Sequence, residues 1–86
     1  MDPRQFIKRA AEDETYFVSA HCLEEMDKDS LSPEQVERVM VKGAILKQNV
    51  RRGRYTLGYD DIMISVEIAS VGGAVKVVTA GRQKGR

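Results

Sequence analysis

The sequence predicts an α+β fold: an antiparallel meander sheet of four to five strands, packed on one face by two or three helices. Three observations carry that expectation. Apolar residues at helical spacing, behind two proline-marked helix starts, fill the first half. After Gly43 the period switches to an alternation of two. Turn signals at Arg51–Arg54, Asp60-Asp61 and Gly72-Gly73 then cut the second half into short extended runs. Consecutive strands joined by tight turns pair with their neighbours, and the resulting sheet needs a covered face.

The first helix starts at Asp2-Pro3-Arg4-Gln5, where Asp2 caps, Pro3 takes the first helical position and Gln5 suits a capping box. Phe6, Ile7, Ala10 and Ala11 share its buried face, Arg4, Lys8, Arg9 and Glu12 face away, and the helix ends near Asp13 or Glu14. Thr15 to Ser19 is rich in β-branched and aromatic residues and reads as a short strand. Ser19 then caps a helix over Ala20–Asp27, anchored by Leu23 and Met26 with Cys22 on its flank and Glu24 and Glu25 outward. Ser32-Pro33-Glu34-Gln35 is the clearest helix start, with Leu31 and Val36 placed for a hydrophobic staple. Val36, Val39 and Met40 form the buried stripe of that helix, and Gly43 suits the position after its end.

Four strands follow: Ala44–Val50, Tyr55–Tyr59, the run from Ile62 to Ala69, and Ala74–Ala80. Ile62, Ile64, Val66 and Ile68 alternate with Met63, Ser65, Glu67 and Ala69, the mark of a half-buried strand. Gly53 supplies a positive φ in the first hairpin. The first strand joins one end of the meander, at a place the sequence does not specify. The whole is one domain over 1–86: an N-terminal helix in 1–14, a core in 15–82 and a flexible basic tail in 83–86.

A domain of 86 residues buries only about 60% of the surface its unfolded chain exposes, so a partner would add to its stability. One cysteine, Cys22, makes no internal disulfide, which fits a reducing compartment. The opening residues lack signal-peptide order, and no apolar run nears the roughly 20 residues a membrane crossing needs. The expectation is a cytoplasmic protein without membrane contact. Net charge is +1, but residues 1–43 carry six Lys/Arg against ten Asp/Glu, and residues 44–86 carry eight against three. Acidic helices and a basic sheet either create a phosphate-attracting face or simply decorate solvated surfaces.

The run Phe17-Val-Ser19-Ala-His21-Cys-Leu-Glu-Glu-Met26, with Leu31-Ser-Pro-Glu-Gln-Val36, Val41-Lys-Gly43 and the closing Val77-Val-Thr79-Ala80, resembles domain-of-unknown-function (DUF) family 4258. The resemblance covers roughly residues 15–82. The chain departs from the pattern after Met26, where Asp27-Lys28-Asp29 stands in place of an Arg, and after Ala80, where Gly81-Arg82 replaces an aromatic residue. The resemblance implies kinship with the RelE-like and MqsR-like ribonuclease toxins of bacterial toxin–antitoxin pairs. Those are small α+β domains that cut RNA without a metal, through basic and aromatic side chains on the sheet.

The candidate chemistry fits that implication. His21 is the only histidine, and an imidazole with a pKa near about 6.5 suits proton transfer at neutral pH. The alternative is a helix-start histidine bonded to nearby backbone. Arg54 and Arg82 are the candidate catalytic cations, since guanidinium forks stabilise charge building on a phosphate. Arg51, Arg52, Tyr55, Tyr59 and Lys84 are the candidate RNA-binding residues, by phosphate contact or base stacking. Arg54 and Thr56 share one strand face, and Tyr55, Leu57 and Tyr59 the other, so both tyrosines are equally candidates for the core. A lone His beside a lone Cys makes neither a metal set nor a nucleophilic pair. No glycine-rich nucleotide loop occurs, and no cofactor is expected.

Two functions remain open from the sequence. One is an RNA-binding toxin-like domain, with metal-independent endoribonuclease activity and an antitoxin-like protein partner. The other is a non-catalytic interaction module of the same fold, homodimeric or held in a complex.

Overall fold

The computed structural model describes residues 2–83. The elements follow the order α1 (Pro3–Glu12), β1 (Tyr16–Val18), α2 (Ala20–Lys28), α3 (Pro33–Lys42), β2 (Ala44–Asn49), β3 (Arg54–Tyr59), β4 (Ile62–Ile68) and β5 (Val75–Arg82), with a short 3-10 turn at Val50–Arg52. The chain is thus α+β, with three helices and five strands among the described residues.

The sheet order is β1-β5-β4-β3-β2. Strands β2 to β5 form the expected antiparallel meander. The purely antiparallel sheet is corrected by β1, which pairs parallel to β5 through Tyr16–Val75, Phe17–Lys76 and Val18–Val77. Parallel pairing requires a long crossover between the two strands, and everything from α2 to β4 supplies it.

The core lies between the helices and one sheet face. Leu57, Ile64, Val66, Val75 and Val77 meet Ile7, Val36, Val39 and Met40 there. Helix α3 has the reciprocal capping box at Ser32 and Gln35, with bonds of 3.2 and 2.9 Å. Leu31 and Val36 are both buried beside it. Helix α1 packs on α3, and Arg4 does not face away as its helical position suggests. Its guanidinium donates to the carbonyls of Gly43, Met40 and Val41 at 2.7, 2.9 and 2.5 Å. A cation there closes the orphan carbonyls at the negative end of α3.

Helix α2 is rotated from its expected phase. Cys22 and Met26, one turn apart, are buried, whereas Leu23 is 54% exposed. The rotation lets α2 lie along the free edge of β5. Glu25 Oε1 accepts from the Ala80 N–H at 3.4 Å, and Asp29 Oδ2 accepts from the Arg82 N–H at 3.0 Å. Two carboxylates thereby occupy an edge that β1 is too short to cover. β5 consequently runs through Gly81 and Arg82, two residues beyond the expected strand.

Gly43 ends α3 with φ −72°, an ordinary extended value, not the left-handed cap its position suggests. A Cβ there would lie 2.5 Å from the Val39 carbonyl oxygen. Close backbone approach, not a positive φ, is what requires glycine at this turn.

Candidate functional site

Among the described residues the second face of the sheet carries no helix across its centre, and strand alternation arranges its side chains in rows. Register places Phe17, Lys76, Glu67 and Arg54 in one row that ends at Asn49 on β2. The next row is Thr79, Ser65, Thr56 and Lys47. A register shift between Ser65 and Val66 leaves Val78 unpaired as a bulge in β5. Ser19 spans that bulge. Its N–H donates to the Val77 carbonyl and its hydroxyl to the Val78 carbonyl, both at 3.0 Å. The same hydroxyl accepts from the Cys22 N–H at 3.0 Å, which caps α2. One residue therefore fixes where α2 leaves the sheet, and so where His21 stands.

A cleft of about 450 Å³ opens between α2 and this face. Thr56, Ser65 and Thr79 contribute hydroxyls to it, and Glu25, Asp29, Lys28 and Arg82 contribute charges. The Thr56 and Ser65 hydroxyl oxygens are 3.4 Å apart. Arg82 is held by the Asp29 carbonyl at 3.0 Å and the Asp61 carboxylate at 3.1 Å. The imidazole of His21 is 65% exposed, and its Nε2 stands 3.3 Å from Glu25 Oε2. Glu25 is one helical turn on, and its carboxylate stands beside the ring at ion-pair distance. The other oxygen of Glu25 serves β5, which fixes the carboxylate between the sheet edge and the imidazole.

The sequence-predicted residues fall into groups. Arg82 lines the cleft, and His21 joins it through Glu25. Arg54 stands on β3, two strands in from β5, and pairs with Glu67 at 3.3 Å. It shares the open face with Thr56 but lies outside the cleft. Arg51 and Arg52 are exposed in the 3-10 turn after β2, beside the end of the Arg54 row. Tyr55 is only 4% exposed and faces the core, and Tyr59 packs partly against that same core. The Tyr55 ring fills the interior and is not presented to a ligand, and Tyr59 is half-buried. Lys84 lies outside the described residues.

Sequence reasoning passed over Glu25, Lys28, Thr56 and Ser65 as site residues. Alternation in β3 and β4 marks Thr56 and Ser65 as open-face hydroxyls, which is a readable signal. Glu25 has no such signal, because its role depends on the rotation of α2.

Cys22 is fully buried. Burial pushes its thiol above the usual range, and the charge of Glu25 adds to the effect. That thiol is a core group rather than a nucleophile. Among the described residues, no three His, Cys, Asp or Glu side chains gather to hold a metal ion. No helix among them is long and apolar enough to cross a membrane. A second cleft, about 460 Å³, lies between α1 and the β4–β5 turn, and gathers neither the imidazole nor the open-face cations.

No protein-family model, curated protein or solved structure matches this chain. The chemistry of the site therefore rests on its own residues.

Proposed function

We propose that the open sheet face binds RNA and that His21, beside Glu25, is the general base of a toxin-like, metal-independent endoribonuclease. The observation that carries this reading is an exposed imidazole, 3.3 Å from a carboxylate that also lines a cleft with two cations, a second carboxylate and three hydroxyls. Neutral His21 takes the proton of a ribose 2′-hydroxyl, and the 2′-oxygen attacks the adjacent phosphorus. The 2′-oxygen–phosphorus bond forms, the bond to the 5′-oxygen breaks, and that leaving oxygen takes its proton from a water that the imidazolium of His21 reprotonates. The products are a 2′,3′-cyclic phosphate and a 5′-hydroxyl. Glu25, beside the ring, stabilises the imidazolium that forms. Arg82 and Lys28 offset charge on the phosphate. Arg82 exchanges Asp61 for that phosphate at small cost, because an ion pair this exposed contributes roughly 0–1 kcal/mol.

The test is incubation of labelled RNA, free and ribosome-bound, with purified protein in the presence of a chelator. The wild type is expected to release fragments ending in cyclic phosphate, and His21→Ala to release none. Intact RNA in every wild-type lane ends the nuclease reading.

A second reading, a non-catalytic interaction module, is favoured by β2. Five of its six residues, Leu46 among them, are exposed at the open edge of the sheet, and Val50 just after it is exposed too. A free edge pairs with an incoming strand from a second copy or a protein partner. Light scattering distinguishes this reading, which requires a dimer or a co-purifying protein and not a lone monomer.

A further inference from the structure

We infer that Phe17 is a base-stacking residue, and that single-stranded RNA crosses the sheet along the row it begins. This inference rests on the RNA-binding reading above and names the form of RNA and the residue that grips a base. Phe17 is the middle residue of a three-residue strand. Its neighbours Tyr16 and Val18 pack against the core, while Phe17 is 62% exposed on the open face. A lone exposed ring means little by itself. What gives this one a ligand is its row. Lys76 is its direct register partner, and the exposed Arg54 stands two strands further across the sheet. Arg51 and Arg52 follow at the far end, in the turn capped by Asn49.

The one acid in the row, Glu67, pairs with Arg54. Among the described residues, the row therefore presents an aromatic face at one end and cations without an ion-pair partner on both sides of a neutralised pair. A polyanion with flat bases complements that pattern, whereas an apolar protein surface would leave Lys76, Arg51 and Arg52 without partners. The five strands, spaced about 4.8 Å apart, give a path of about 19 Å. Sheets that read RNA stack two or three bases over such a width. Bases in a duplex are already stacked on each other, so the ring selects single strands.

The test is fluorescence anisotropy with a labelled oligouridylate of about eight nucleotides, and its duplex with oligoadenylate, over a salt series. Phe17→Ala is expected to weaken single-strand binding roughly 5- to 150-fold with the slope against salt unchanged, and Phe17→Tyr to retain it. Lys76→Ala is expected to weaken binding and reduce the salt slope by about one. Thermal melts that match wild type verify folding, which an exposed side chain permits. Wild-type binding that Phe17→Ala leaves intact overturns the stacking role and leaves the RNA reading standing. Equal affinity for the duplex overturns the single-strand assignment. No wild-type binding at low salt overturns the RNA-binding reading along with this one. A dimer that Phe17→Ala dissolves, without RNA binding, assigns the ring to a protein contact and overturns the inference.

Discussion

Arg4 is the residue whose role exceeds its apparent position. Its three donors meet three carbonyls at the end of α3, tying the first helix to the third across almost forty residues of chain. Arg4→Ala strands those carbonyls in a partly buried site and is expected to cost about 2–3 kcal/mol. Urea unfolding would show this as a lower midpoint with unchanged slope, and Arg4→Lys would recover only part, because an ammonium lacks the fork. Tyr16 offers a second measurement. Burial first, then its hydrogen bond to Glu37 and nearby carboxylates, raises its phenol well above the usual range. In the unfolded chain that phenol titrates near about 10. Above that pH the native state keeps a proton that the unfolded state has lost, so stability falls as pH rises. The stability gap between wild type and Tyr16→Phe is expected to narrow between about pH 9 and about pH 11. A constant gap would show that burial does not hold the proton on Tyr16.

Among the elements, α2 shows how a helix can complete a sheet. Glu25 and Asp29 accept from alternate N–H groups of β5, where β1 has already ended. Asp29→Ala is expected to speed amide exchange at Arg82 by about tenfold, through loss of one charge-assisted bond, while Asp29→Asn keeps an acceptor and most of the protection. Equal exchange in all three proteins would mean the carboxylate does not protect that edge. The same element marks the limit of sequence reading. The capping box at Ser32 and the alternation of Ile62 to Ile68 are local patterns, and both appear where the sequence puts them. Leu23 and Cys22 are adjacent apolar residues on a short helix, so periodicity does not choose between them. Contact with β5 makes that choice, and it buries Cys22. The parallel placement of β1 and the extension of β5 through Arg82 likewise depend on contacts between distant segments. For the site, alternation separates Arg54 and Thr56 from the core-facing Tyr55, but the union of His21 with Glu25 and of Arg82 with Asp61 follows from tertiary packing.

At the scale of the whole molecule, one sheet face is spent on the core and the other is left to bear hydroxyls, cations and a single exposed ring. The charge split between the halves of the chain does not become a uniformly basic wall. Glu25, Asp29, Asp61 and Glu67 stand among the cations, so affinity for RNA is expected to be modest and to fall steeply with salt. The most direct measurement of the central claim is amide chemical-shift mapping of the labelled protein, titrated at low salt with a single-stranded RNA of about eight nucleotides. Shifts are expected at Phe17, His21, Thr56, Ser65, Lys76 and Thr79, with α1 and α3 unmoved. Shifts confined to α1 and α3, or none at all, would contradict that claim.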